Sequence, residues 1–207
     1  LEPEGAVANG DDLLLFRQLL DAVQAVVAAC DQEQFENARA LRADIDALHR
    51  LADLRGELHR TLDDDGGLKD RASQELYRLR RQIRAVETDI QERLAKLVRR
   101  SDMHEVMQED FVTLRNNRFV VPVRREMKSR CSGIVHDHSD SGQTVFVEPS
   151  HTVPLGNELA DLRLDERDEC IRILAKLSSR IRARSGDFRE NLERLAELDA
   201  ALAVARW

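Results

Sequence analysis

Aromatic side chains are scarce in this sequence: six Phe, one Tyr and one Trp among 207 residues. An all-β core leans on more large residues than that, so a sandwich or barrel is disfavoured. Only nine Gly and four Pro interrupt a background of Leu, Ala, Arg, Glu and Asp, which is the vocabulary of helices. No uninterrupted run of about eighteen apolar residues is present to span a bilayer, and no membrane partner is expected. The chain opens Leu1-Glu2-Pro3-Glu4, with neither an initiator Met nor a basic, apolar leader, and is expected to be a piece of something longer. Cysteine is sparse too: Cys30, Cys131 and Cys170 are far apart, odd in number and outside any Cys-x-x-Cys spacing. Neither a disulfide framework nor a thiolate metal site is suggested, and a reducing cytoplasm fits.

What is abundant is charge. The formal net charge is −7, which argues against a nucleic-acid binder until its distribution is read. Between Arg115 and Arg130 stand six cations (Arg115, Arg118, Arg124, Arg125, Lys128, Arg130) and one acid, Glu126. That window is +5 and the remainder −12.

Periodicity predicts mainly α structure: a helical core with long antiparallel helices carrying a small β-rich tip. Residues Leu1 to Gly10 read as a poorly ordered lead-in. A first helix is expected from Asp11 to Cys30, with Leu15, Leu19, Val23, Val26 and Val27 on one face. Asp31 is expected to cap a second, with Phe35, Ala38, Leu41, Ile45 and Leu48 inward. A short third uses Leu54, Leu58 and Leu62 and stops at Asp63-Asp64-Asp65-Gly66-Gly67. Ser73 then caps a long helix with a seam of Leu76, Leu79, Ile83, Val86, Ile90, Leu94 and Leu97, extended to about Met107. From Leu155 to about Arg206 a second long helical pattern runs through Leu159, Leu162, Ile171, Leu174, Leu177, Ile181, Phe188, Leu192, Leu195 and Leu202, with a kink allowed at Ser185-Gly186. Between the two lies a change of period. Phe111 to Arg115 and Arg118 to Val123 read as strands joined by Asn116-Asn117, while Ile134 to Asp137 and Thr144 to Glu148 read as a second hairpin. The expected division is a helical core segment over 1–72, lever helices over 73–110 and 153–207, and a β-hairpin tip over 111–152.

The series Asp70-Arg71-Ala72-Ser73-x-x-Leu76, Arg115-Asn116-Asn117-Arg118-Phe119-Val120-Val121-Pro122-Val123, Gly133-Ile134-Val135-His136-Asp137-x-Ser139-x-Ser141-Gly142-x-Thr144-x-Phe146-x-Glu148-Pro149 and Asn157-Glu158-Leu159 resembles the bacterial MutS type 2 proteins. The likeness covers most of the chain from about Asp11, with Asn117 where that family usually has Gly. It implies the core, lever helices and clamp of a larger homodimeric polypeptide. An ATPase domain, carrying ATP and Mg, and a nuclease-like domain would follow. This chain has no Gly-x-x-x-x-Gly-Lys-Ser/Thr phosphate loop, so no cofactor and no catalytic residue is assigned to it. The resemblance further implies suppression of homologous recombination through branched DNA and, in some bacteria, action on collided ribosomes and their RNA.

Lys and Arg grip phosphate without reading bases, so the six cations of the +5 window are the candidate nucleic-acid contacts. Strand-edge cations that merely keep a sheet from pairing are the bland alternative. His136-Asp137-His138 with His151 could present two imidazoles to a metal, but a third and fourth ligand are not evident. A Ser139, His136 and Asp137 triad would need three sequence neighbours to converge, which such neighbours rarely do. The expected function is therefore a nucleic-acid clamp coupled to an ATPase elsewhere. A structural coiled-coil arm with a protein-docking tip is the alternative.

Overall fold

The computed structural model describes residues 6–31 and 39–205. They form α1 (Gly10–Asp31), α2 (Arg39–Asp46), α3 (Ala52–Thr61), α4 (Gln74–Val98), strands β1 (Thr113–Arg115), β2 (Arg118–Arg124), β3 (Gly133–His138) and β4 (Thr144–Pro149), then α5 (Val153–Arg182) and α6 (Ser185–Ala205). A fold of mainly helix with one small antiparallel sheet is what the periodicity predicts. Two compact units divide the chain: Leu1–Tyr77 with Glu169–Trp207, and Arg78–Asp168.

In the first unit the core is Leu13, Leu20, Leu54, Leu58, Leu62, Leu76, Ile173, Leu177, Ile181 and Phe188. A second cluster holds Val23, Val27, Cys30, Ile45, Leu48 and Leu198. The phase of α1 differs from expectation, because Leu15 is 64% exposed while Arg17 is buried. The Arg17 guanidinium donates to the carbonyl oxygens of Leu62 and Asp63 at 3.2 and 2.9 Å and to Asp64 at 3.2 Å. Those partners satisfy a buried cation and rotate the helix to suit. By length and mean hydropathy, 1.6 over its most apolar window, α1 could cross a bilayer. Here its apolar face is core, and Asp21 binds Arg55 and His59 at 2.7 Å.

Other expectations shift similarly. Asp31 is the last residue of α1; the residues it was expected to cap, Phe35 and Ala38 among them, lie outside the described residues, as do the side chains of Leu41 and Leu202. Of the lead-in only residues 6–10 are described; there Ala8 is buried and its N–H donates to Ser178 Oγ at 2.9 Å. The Asp63 to Gly67 stop is a turn, with Asp63 Oδ1 accepting from the N–H groups of Asp65 and Gly67 and Gly66 at φ 82°. The helix breaks between Arg182 and Ser185, and of the residues expected on one face Ile171 and Leu192 are exposed.

Ser73 caps α4 as its sequence suggests, accepting the Leu76 N–H at 2.9 Å. Its hydroxyl also donates to Glu169 on α5 at 2.5 Å. Arg172 donates to both Glu169 oxygens at 2.7 Å, and this pairing, with Ser73, holds the Glu169 carboxyl below its ordinary value despite burial.

The second unit is built on the α4 seam. Ile83, Ile90, Leu94 and Val98 pack with Leu159 of α5 and with Val121, Val123, Val145 and Val147 of the sheet. Arg80–Glu166 and Glu87–Arg163, each at 2.7 Å, fix these stretches of α4 and α5 as antiparallel. The helix ends at Val98, well before Met107. Residues 106–108 instead pair with β2: Met107 bridges Val123, the Gln108 N–H donates to the Pro122 carbonyl, and the Arg124 N–H to that of Val106. The sheet has strand order β1-β2-β4-β3, all antiparallel.

Burial of the seam should outweigh its ion pairs: truncating a buried Leu costs about 2 to 5 kcal/mol and an exposed pair about 0 to 1. In urea titrations Leu94→Ala is expected to lose several times more stability than Glu87→Ala. In the first unit, a carboxyl whose folded pKa is depressed stabilises fully above the unfolded value, about 4.3 for Glu, and that contribution vanishes as pH falls through the lower folded value. Glu169→Gln is therefore expected to flatten the acid limb of a stability–pH curve while the neutral limb drops uniformly.

Candidate nucleic-acid interface

The tip begins with a two-residue turn. Asn116 and Asn117 have φ of 51° and 62°, both left-handed, which is the type I′ geometry that matches the twist of a hairpin. Asn tolerates that region, so the absence of Gly at 117 leaves the turn intact. Asn116 Nδ2 donates across to the His136 carbonyl at 2.9 Å. The second hairpin closes over Ser139 to Gly142, with Gly142 at φ 68° and its N–H donating to the Ser139 carbonyl.

Strand registers sort the side chains. Val121, Val123, Val145 and Val147 face the helices, so Arg115, Arg118, Arg124, Phe146 and Glu148 lie on the other face. The six candidate cations do not form one cluster. Arg118 and Arg124 stand at opposite ends of β2, six residues or about 20 Å apart. At one end Arg115 lies over the Phe146 ring, 4.4 Å from its centroid, and pairs with Asp137 at 3.2 Å. Arg118 Nη1 meets Glu148 at 3.3 Å and its Nη2 donates to Asn157 at 2.9 Å. Both charges are balanced.

At the other end Arg124, Arg125, Lys128 and Arg130 lie on the end of β2 and the two-turn 3-10 segment Arg125–Arg130. Arg124 and Arg125 donate to carbonyl oxygens, of Met107 at 3.2 Å and Gly142 at 3.3 Å, and not to carboxylates. Arg130 has an exposed pair with Glu105 at 3.6 Å. Met127 packs into the core beneath and anchors the segment. Burial pushes the neighbouring Cys131 thiol up, against the pull of Lys128, so it stays protonated at neutral pH. Among the described residues, none of these cations is held by a buried carboxylate.

A constellation the sequence reading did not assemble lies at the first end. Glu148 is 2% exposed, and its carboxylate bonds His136 Nε2 at 2.6 Å as well as Arg118. A β-bulge between Val135 and Asp137 frees His136 from the ladder. Gly156 of α5 makes the room: a Cβ there would strike Glu148 Oε1 and stand 2.6 Å from Arg118 Nη1. The signal was present in the sequence, since His136, Glu148 and Asn157 all belong to the quoted motif, but spacing does not reveal that they meet. His136 is thus committed to Glu148, and Ser139 Oγ lies near Ser141 Oγ and the Thr144 N–H, so the triad does not assemble. Among the described residues no three His, Cys, Asp or Glu side chains converge as metal ligands.

Removing one partner of a buried pair costs about 3 to 5 kcal/mol, and an exposed pair far less. Glu148→Ala is expected to destabilise the chain by about 3 kcal/mol or more in urea unfolding, whereas Asp137→Ala should lie within about 1. Comparable losses would mean that Glu148 does not hold the sheet.

No family model matches the chain. Curated relatives do. It is 37% identical over 191 residues, 92% of its length, to the endonuclease MutS2 of Halothermothrix orenii. It is 36% identical over 91% of its length to that of Brevibacillus brevis, and 35% identical over 99% to that of Pelotomaculum thermopropionicum. The chain spans only about a quarter of the length of these relatives, 24 to 26%. Along nearly its whole length, then, it is related to a quarter-length segment of proteins named endonuclease MutS2.

Proposed function

We propose that the chain is the lever and clamp segment of a MutS2-family protein and that its β tip holds nucleic acid by the phosphate backbone. The observation that carries the reading is the group Arg124, Arg125, Lys128 and Arg130, gathered at one end of β2, with Arg124 and Arg125 donating to carbonyl oxygens. Arg115 and Arg118, balanced by Asp137 and Glu148, shape the tip and take a lesser part in contact. Such a grip is sequence-independent, because it exchanges condensed counterions for protein cations and touches no base edge. Branched DNA is the target assigned, with structured or ribosomal RNA the second. In the intact homodimer two tips would act on one duplex, which multiplies a weak single contact.

No catalysis is assigned to these residues. ATP and Mg, and the chemistry in the relatives' name, belong in this proposal to other parts of a longer parent, whose roles would be recombination control and action on stalled ribosomes. Nucleic-acid affinity of the chain and of its parent should fall with salt at a log-log slope near −0.9 per duplex phosphate contact. Arg124→Glu with Arg125→Glu should abolish binding and leave the circular dichroism unchanged. Undiminished binding of duplex and branched DNA after that double reversal would defeat the clamp. Salt-independent capture of a protein through the exposed Phe111, Leu114 and Ile134 would favour the docking arm.

A further inference from the structure

The eight residues Arg93-Leu94-Ala95-Lys96-Leu97-Val98-Arg99-Arg100 carry four cations and no acid; they run from the last turns of α4, which ends at Val98, into the segment after it. Leu94 and Val98 face the core, which turns the cations outward. Across from them lies His151, from the turn between β4 and α5, and Arg93, Lys96, Leu97, Arg100 and His151 line a shallow cavity of about 420 Å³. Cations in a last helical turn have an ordinary role in stabilising the helix dipole. That role calls for no opposing wall and no cavity.

We propose that this cavity takes a backbone phosphate of the nucleic acid held by the tip, as a second contact beside the Arg124 to Arg130 group. The proposal rests on the clamp reading above. Three features carry it. The acids that pair with these cations are exposed and flank the stretch: Asp89 for Arg93 at 2.8 Å, Glu92 for Lys96 at 4.0 Å and Asp102 for Arg100 at 2.7 Å. Exposed pairs of this kind are worth about 0 to 1 kcal/mol, so a phosphate can displace them. Next, the cavity and the clamp group meet on one short segment, since Asp102 pairs with Arg100 at 2.7 Å and Glu105, three residues on, pairs with Arg130 at 3.6 Å. Finally, burial and then the charges of Arg93 and Arg100 push the His151 imidazole below its ordinary value. Neutral at physiological pH, it offers a phosphate one ring donor and adds no repulsion to the two arginines.

The test uses the whole chain and a short mixed-sequence DNA duplex, with two neutralising pairs compared: Arg93→Gln with Lys96→Gln, and Arg124→Gln with Arg125→Gln. If the proposal holds, each pair lowers affinity and reduces the log-log salt slope by about 2. Loss at the Arg124 pair with no change at the Arg93 pair overturns this inference and leaves the clamp standing. The reverse pattern keeps the α4 cavity and removes the clamp, and no salt-dependent binding by the unmodified chain removes both. Because charge changes on α4 can disturb the helix, a second measurement follows the His151 ring resonances of the unmodified chain by NMR. They are expected to shift and saturate with the duplex. A ring that stays unmoved at saturating duplex, or that answers to inorganic phosphate and not to the duplex, also overturns the proposal.

Discussion

A single carboxylate organises the second unit. Glu148 lies on the sheet face opposite the valine core, and stripped of water it would be costly to keep charged. It is kept by convergence: Arg118 comes from the adjacent strand β2, His136 from a bulge in β3, and α5 gives way at Gly156 so that the pair fits beneath it. Asn157 then holds the far side of the Arg118 guanidinium. Strands β2, β3 and β4 and the start of α5 are thereby tied at one point, which the apolar face alone, non-directional as it is, would not specify.

That knot decides what the rest of the surface can do. Once Arg118 answers to Glu148 and Arg115 to Asp137 and Phe146, the positive end of the tip is the far end of β2. There Arg124 and Arg125 donate to carbonyl oxygens, Arg130 has an exposed pair with Glu105, and the 3-10 segment is pinned by Met127. A guanidinium that donates to a carbonyl keeps its full charge, whereas one facing a buried carboxylate has spent it locally. Six cations from one stretch of sequence therefore divide into two sets with different partners.

How much of this was legible follows from the range of each interaction. The Asn116-Asn117 turn, the Ser73 cap and the α4 seam could be read because each is decided within a few residues. The end of α4 could not: Met107 continues the apolar rhythm, yet its backbone pairs with Val123, sixteen residues on. Leu15 had the right character for the α1 face and is exposed because Arg17 claims that orientation for carbonyls some forty-five residues away. The candidate cations were identifiable by composition, but their separation depends on β2 running between them. The acid that neutralises Arg118 is thirty residues downstream.

The same logic bears on why charge reading by window is incomplete for a surface of this kind. The stretch Arg93 to Arg100 reads as an ordinary basic helix end, since its seam residues and its cations alternate as any amphipathic helix would have them. Only the turn after β4, which brings His151 to face Arg93 and Arg100, gives those cations a wall to share. Phosphate contacts need charge at a spacing set by the polymer, not density in one segment. In the proposed clamp, one group on the segment after β2 and another around the end of α4 would be two separated points of attachment, on elements that share one valine and leucine core. Two such points on one shared core would fix the direction of a bound strand as well as its position.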